Sequence, residues 1–393
     1  MSEYLTRNQQ VSAKIQADAE VAVTPDPVAD GLRVRQSVKV NTTAQAISTD
    51  EARGGLDQSP SLVGATNREI PLAFYLRGSG AAGTPPEYDV PLRIAGMSAM
   101  IIAAPVTGNA QAGAVGSITL AAGASGVTDA YKGTVITIDS GTGLGQVRVI
   151  TGYNATTKVA TVTPDFDPAP DATSVYTIAP GVLYRTISTG LEAATIYRWQ
   201  HRTDGTGSRL KKLWNCTADL SLTIQNGQPL EATVTAKGIF SEAMPHEDVT
   251  KPSAKTFATL TPPILKGAKI FLGGKKLKLN QLSFQLGTDP QMVPDPTSDC
   301  GYSGSQITNR AAKGNLDAAL TLKSTRDAMA DWLTGAVKPL WIATPGAAGN
   351  RVSLFWPEIN YTGNQEQDVG QFAGEGAPFE SAQLDGALYI WVY

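Results

Sequence analysis

Between Asp219 and Lys237 the chain alternates cleanly on either side of a turn. Leu220, Leu222 and Ile224 interleave with Asp219, Ser221, Thr223 and Gln225. After Asn226-Gly227-Gln228-Pro229, Leu230, Ala232, Val234 and Ala236 interleave with Glu231, Thr233, Thr235 and Lys237. Strand side chains point to opposite faces with period two, so this stretch predicts a β-hairpin with one dry and one wet face. Asn-Gly supplies the positive-φ positions of a tight reversal. The wet face carries Thr, Ser and acid rather than the aromatics of a binding pocket.

The same pattern organises much of the chain. Glu69 to Leu76 is a strand with Ile70, Leu72, Phe74 and Leu76 in phase, and Gly78 to Pro86 breaks it. Val90 to Met100 is short and apolar, and reads as a strand or as a helical turn. Thr195 to His201 and Leu213 to Ile224 are strands, and Ala268 to Leu279 is a hairpin over Gly273-Gly274. The phase slips between Leu279 and Leu282, which predicts a bulge near Asn280-Gln281. Asn315 to Leu322, Lys338 to Ala343 and Arg351 to Trp356 follow as strands. In Ala387 to Tyr393, Leu388, Ile390 and Val392 face one way and Tyr389, Trp391 and Tyr393 the other, so this strand is expected to be buried on both sides.

Two stretches carry a different period. Val11, Ile15 and Ala19 are spaced by four and predict a short N-terminal helix, ended by Thr24-Pro25-Asp26-Pro27. Arg33 to Val40 is then a strand, and Ser48 to Pro60 a long polar loop, of the length that usually reaches a neighbour or a ligand. Ser324 is expected to cap the one short α-helix, with Asp327 in its first turn, Met329, Trp332 and Leu333 as its apolar stripe and Gly335 as its stop.

At Gly108 the composition shifts to Ala, Gly and Thr. Ser117 to Leu120, Thr134 to Ile138, Gln146 to Ile150 and Lys158 to Val162 are short strands joined by turns such as Gly141 to Gly145. This predicts a small β domain over residues 109–179, inserted in a host fold. The expected division is an arm and long loop at 1–68, host segments at 69–108 and 180–393, and the insertion between them. The fold class is all-β with one short α-helix, a β-sandwich or barrel plus the inserted domain.

Composition removes several function classes. A net charge of −3 over 393 residues, with no basic stripe, argues against tight duplex binding through phosphates. The N-terminal residues lack a signal-peptide pattern, and the run Met100 to Val106 is too short to span a bilayer. Two cysteines, Cys216 and Cys300, make no disulfide framework and fit folding in a reducing cytoplasm. The two histidines, His201 and His246, fall in no metal-binding spacing; His201 reads as structural or surface, and Cys216 as an inert buried thiol. Gly141 to Gly145 lacks phosphate-loop spacing, and Asp165, Asp167 and Asp171 lack the glycine and terminal glutamate of a calcium loop. Asp295 and Asp299 read as solvated, and Lys211-Lys212 beside Trp214 is a weak nucleic-acid signal. No cofactor, metal or catalytic set is expected. A carboxylate pair brought together in space stays open, and with it a β-rich hydrolase.

A set of segments then follows a familiar order: Ala13-Lys14-Ile15, Thr24-Pro25 and Arg33; Arg53-Gly54 with Leu56; Tyr75-Leu76-Arg77-Gly78-Ser79-Gly80; Pro85-Pro86-Glu87-Tyr88; Leu92-Arg93; and Ala194-Thr195-Ile196-Tyr197 leading to Lys237-Gly238. In these the chain resembles the tail tube proteins of tailed bacteriophages with long non-contractile tails. It departs from their pattern at Gln16, where an acid is common, and at Ala19-Glu20-Val21 in place of a glycine-containing turn. Residues 110–178 resemble a small β module inserted in phage structural proteins, through Asp129-Ala130-Tyr131-Lys132-Gly133, Gly141 to Gln146, Ile150-Thr151-Gly152-Tyr153 and Asp171 to Tyr176.

The resemblance implies a tail-tube-type sheet that joins its neighbours in a ring, probed by a simple estimate. Six subunits giving about 24 strands, about 4.8 Å apart and tilted by about 40°, enclose a backbone diameter of roughly 48 Å, wide enough for duplex DNA. It also implies partners: other copies within and between hexameric rings, the tape measure, tail terminator and distal tail proteins, and DNA that passes without specific binding, all in a virion assembled in the host cytoplasm without membrane insertion. On this reading Asp219, Ser221, Thr223, Glu231, Thr233 and Thr235 face the lumen, with the two acids repelling phosphate. The alternative is a plain solvent-facing outer surface. The arm at 1–68 becomes the candidate ring-to-ring contact, and the insertion an external spacer or lattice support. A receptor- or glycan-binding virion protein is the other reading.

Overall fold

The computed structural model describes residues 3–18, 21–35, 37–49, 59–381 and 383–393. The chain begins with β1 (Tyr4–Ile15), β2 (Gly31–Leu32), β3 (Asn41–Ile47), β4 (Leu62–Tyr75), α1 (Asp89–Ile94) and β5 (Met97–Ile102). There follow β6 (Val106–Asn109), β7 (Ala112–Ala114), β8 (Ser117–Thr119), β9 (Val135–Ser140), β10 (Val147–Tyr153), β11 (Val159–Thr163) and β12 (Val175–Ile178). Next come β13 (Gly181–Thr186), β14 (Ala194–Arg202), β15 (Gly207–Gln225), β16 (Glu231–Ile239), β17 (Glu247–Thr250), β18 (Lys269–Leu272), β19 (Lys275–Lys276) and β20 (Leu279–Gln285). The last are β21 (Thr288–Pro294), β22 (Tyr302–Arg310), β23 (Lys313–Ala319), α2 (Ala328–Thr334), β24 (Val337–Ala343), β25 (Val352–Tyr361), β26 (Gln365–Val369), β27 (Phe372–Ser381) and β28 (Tyr389–Val392). The chain is almost all β, as the alternation predicts.

One row of strands runs β3–β4–β16–β15–β20–β23–β27–β26, every pair antiparallel. The long strand β15 leaves this row at its N-terminal half to pair with β14 and β17, and β14 carries β1. A second row runs β5–β13–β28–β25–β24–β18. Pairing of β25 with β27 joins the rows into one 19-stranded sheet that folds over its own core. That core packs Leu72, Leu220, Leu222, Val234 and Phe284 of the first row with Tyr184, Leu354, Ile390 and Val392 of the second. Each such fully buried side chain is worth about 1.5–3 kcal/mol.

A separate seven-stranded sheet, β6–β12–β9–β10–β11–β8–β7, lies between Val106 and Ile178 and has its own core around Ile118, Ile136, Ile150 and Tyr176. A third buried cluster joins this sheet to the large one. Val135 and Val149 of the small sheet meet Leu183, Trp341, Phe355, Tyr389, Trp391 and Tyr393. The two side-chain sets of β28 thus divide between the main core and this joint, and the strand is buried on both faces.

Several expectations need correcting. The N-terminal stretch is not a helix: Tyr4–Ile15 is a strand laid along β14, with Val11 and Ala13 in the core. A spacing of four is even, so Val11 and Ile15 satisfy a strand as well as a helix, and pairing with β14 decides. Among the described residues of Arg33 to Val40 there is no strand; the neighbouring strands are Gly31–Leu32 and Asn41–Ile47, and Val38 is buried. Asp327, not Ser324, caps α2, its carboxylate accepting from the Ala330 N–H at 2.9 Å. Met329, Trp332 and Leu333 face outward, and Ala328 is the buried residue of that helix. Val90 to Met100 contains both a turn-and-a-half of helix, α1, and the start of β5. The strands β21, β22, β26 and β27 had not been expected. The ladder slip does fall between Leu279 and Gln281. Arg53-Gly54, Leu56, Ala19-Glu20 and most of the 48–60 loop lie outside the described residues.

Candidate functional site

The opening hairpin forms as the alternation predicts. Asp219 pairs with Thr235, Ser221 with Thr233 and Thr223 with Glu231, over a turn with Gly227 at φ 73°. Residues opposite one another share a face, so all six candidate side chains lie on one side of the sheet. Their alternates Leu220, Leu222, Ala232 and Val234 are no more than 1 % exposed, whereas Thr223 is exposed and the other five are half-buried.

This polar face is wider than the hairpin. On the β4 side, Tyr75, Ala73 and Pro71 stand opposite Glu231, Thr233 and Thr235. On the other side, Gln285 and Ser283 stand opposite Ser221 and Thr223, then Lys313 and Asn315, then Glu380 and Pro378. Six strands thus share a surface of hydroxyls, amides and balanced charge, with Lys313 and Glu380 3.6 Å apart. The flanking residues were missed although their signal was present: Ser283 and Gln285 alternate with Leu282, Phe284 and Leu286.

The two acids of the hairpin are not free charges. The Asp219 carboxylate accepts from the Thr288 N–H and Oγ1, both at 2.9 Å, and from Gln285 Nε2 at 2.9 Å, and so pins the turn into β21. Glu231 is paired with Arg35, whose guanidinium lies 5.1 Å from the Tyr75 ring centre. Arg35 offsets the charge of Glu231, whereas the partners of Asp219 are uncharged and leave its negative charge on a face otherwise rich in hydroxyls.

Beside this face the chain projects a ribbon. β3 pairs with the N-terminal half of β4, from Asn41 opposite Glu69 to Ile47 opposite Leu62. All seven residues of β3 are exposed, on both faces. At the far end Ile47, Leu62 and Val63 are 44 %, 58 % and 74 % exposed. Arg68 roots the ribbon: buried, it donates to Lys212 O at 3.0 Å and to Pro245 O, and stacks 3.7 Å from the Phe240 ring centre. Burial pushes its pKa down to about 10. Among the described residues, β3 at one end of the row and β26 at the other each have a single strand partner.

Neither a protein-family model nor a curated protein sequence matches this chain.

Other chemistry-bearing residues are dispersed. His201 Nδ1 lies 2.7 Å from Ser208 Oγ, yet both residues are almost completely buried. Burial, with Lys251 and Arg198 nearby, lowers the His201 pKa, so the ring is held neutral. Cys216 and Cys300 are buried free thiols, and burial raises the Cys216 pKa. Among the described residues no three His, Cys, Asp or Glu side chains gather as a metal site. Asp171 is tied to Thr142 and Thr173, and Asp295 to Thr297, as turn residues. No described helix is long and apolar enough to cross a membrane. A cleft of about 830 Å³ opens where the small sheet meets the large one, and mixes Lys132, Lys275 and Lys338 with Asp165 and Glu358.

Proposed function

We propose that this chain is the subunit of a phage tail tube: copies form rings, six in the simplest case, and the rings stack into a conduit for DNA. The observation that carries the reading is the ribbon. A strand bare on both faces, with an apolar tip, is an unsatisfied element in a lone subunit and suits contact with another copy. The open strands β3 and β26 end the same row, and contact between two different patches is the kind that closes rings. The polar face would line the bore. Its hydroxyls and amides offer few fixed cations to phosphate, which suits a duplex that must slide. The small sheet would decorate the outside, and tape measure, terminator and distal tail proteins would meet the tube at its inside and ends.

The ring-to-ring role narrows from residues 1–68 to the ribbon, because Val11, Ala13, Leu32 and Val38 of that stretch belong to the core. Negative-stain microscopy of the purified protein is expected to show rings or tubes; monodisperse single subunits at every concentration would defeat the reading. Replacing residues 44–66 by an Asn-Gly turn is expected to leave a folded protein whose rings do not stack. Tubes of normal length from that variant would remove the ribbon from the contact. The glycan-binding alternative draws on the cleft beside the small sheet, and saturable binding on a sugar array without tubes would favour it.

A further inference from the structure

Gly273 and Gly274 turn β18 into β19 beside the loop that leads from β23 to α2, and a pocket of about 220 Å³ lies between them. Six cations line it: Lys275, Lys276, Lys278, Lys323, Arg326 and Lys338. Only two lining carboxylates oppose them, and both are engaged, Asp327 with Lys323 at 3.6 Å and Asp331 with Lys338. Among the described residues, Lys275, Lys276 and Lys278 have no carboxylate within ion-pair distance. Lys275 reaches only the Ser324 carbonyl, at 3.4 Å.

Arg326 lies deeper, its side chain 8 % exposed. It pairs with Glu375 through Nη2 and lies against the buried Tyr361 hydroxyl, with Nε and Nη1 closed to solvent. The Thr321 hydroxyl, also on the pocket lining, is buried and unpartnered. Ammonium groups gathered on one hairpin repel one another. That repulsion falls when an acceptor carrying several negative oxygens enters. A planar guanidinium under a rim of flexible ammoniums is a combination suited to phosphate.

We propose that this pocket binds a phosphate-type oxyanion. The site is independent of the tail-tube reading and stands on the opposite chemical principle from the hydroxyl-rich sheet face, since it concentrates cations where that face balances them. The anion is either free in solution or displayed on a lipid headgroup.

The test uses the full chain, with inorganic pyrophosphate as probe and sodium chloride of matched ionic strength as control. Pyrophosphate is expected to raise the melting temperature saturably and to give a binding isotherm by calorimetry. The exposed pair Lys276→Glu and Lys278→Glu is expected to fold normally, judged by circular dichroism, and to bind at least about tenfold more weakly. A Lys313→Glu variant, outside the pocket, is expected to bind as the parent does. Sedimentation with phosphatidylglycerol but not phosphatidylcholine vesicles, lost in the same double variant, would assign the headgroup source; pyrophosphate binding without it would assign the free anion. An equal shift from sodium chloride, or undiminished binding by the double variant, would overturn the proposal.

Discussion

The hairpin β15–β16 and the strand β28 are built from the same alternation, and the molecule uses them in opposite ways. In the hairpin one side chain set is sealed in the core and the other stays wet. In β28 both sets are sealed, one in the main core and one in the aromatic joint to the small sheet. The period of a strand sets which residues share a face. The chemistry of the second face then decides whether the strand is a wall or a seam.

The seam is where substitutions should cost most. Trp391→Ala removes a fully buried ring shared between the two sheets, and is expected to cost about 3–5 kcal/mol by chemical denaturation. Gly133→Ala belongs to the same experiment. It has φ 86°, and a Cβ there would stand 2.5 Å from Tyr389 Cδ1, so overpacking and strain together should cost about 2–4 kcal/mol. Losses below about 1 kcal/mol for both would mean that the small sheet is held only by its chain connections.

His201 offers a smaller effect with a defined sign. Its folded pKa lies below the unfolded value of about 6.5, so its contribution is fully present above that pH. As pH falls from about 7.5 to about 5.5 the unfolded chain takes up the proton more readily, and stability declines. A His201→Gln variant should show a flatter profile over this window; an unchanged slope would place the effect elsewhere.

The wet face should be the least sensitive. Thr223→Ala and Thr233→Ala are expected to stay within about 0.5 kcal/mol of the parent, since their side chains make no core contact. A loss of several times that size would make the face a structural element and erase its contrast with β28.

The dry halves of both strands were legible because burial on a sheet imposes period two on the sequence. The bulge at Leu279–Gln281 was legible for the same reason, as a slip of phase. β3 was not, because Asn41–Ile47 is exposed on both faces and no core imposes a period on it. The direction of α2 was hidden for a related reason: Met329, Trp332 and Leu333 mark a stripe, but a stripe does not say whether it meets the core or the outside. The polar face beyond the hairpin was hidden by pairing. Nothing in Ser283 or Asn315 alone shows that they stand side by side; the register of β20 on β23 does that.

The place of β28 also bears on the order in which the chain organises itself. Val392 sits opposite Val182, about two hundred residues earlier, whereas the small sheet closes through neighbours such as Val149 and Thr163. Pulse-labelled hydrogen exchange should therefore find the small sheet protected before β28. On that order β28 would act as a latch, since Tyr389 and Trp391 supply part of the aromatic seat on which Val135 and Val149 of the small sheet rest.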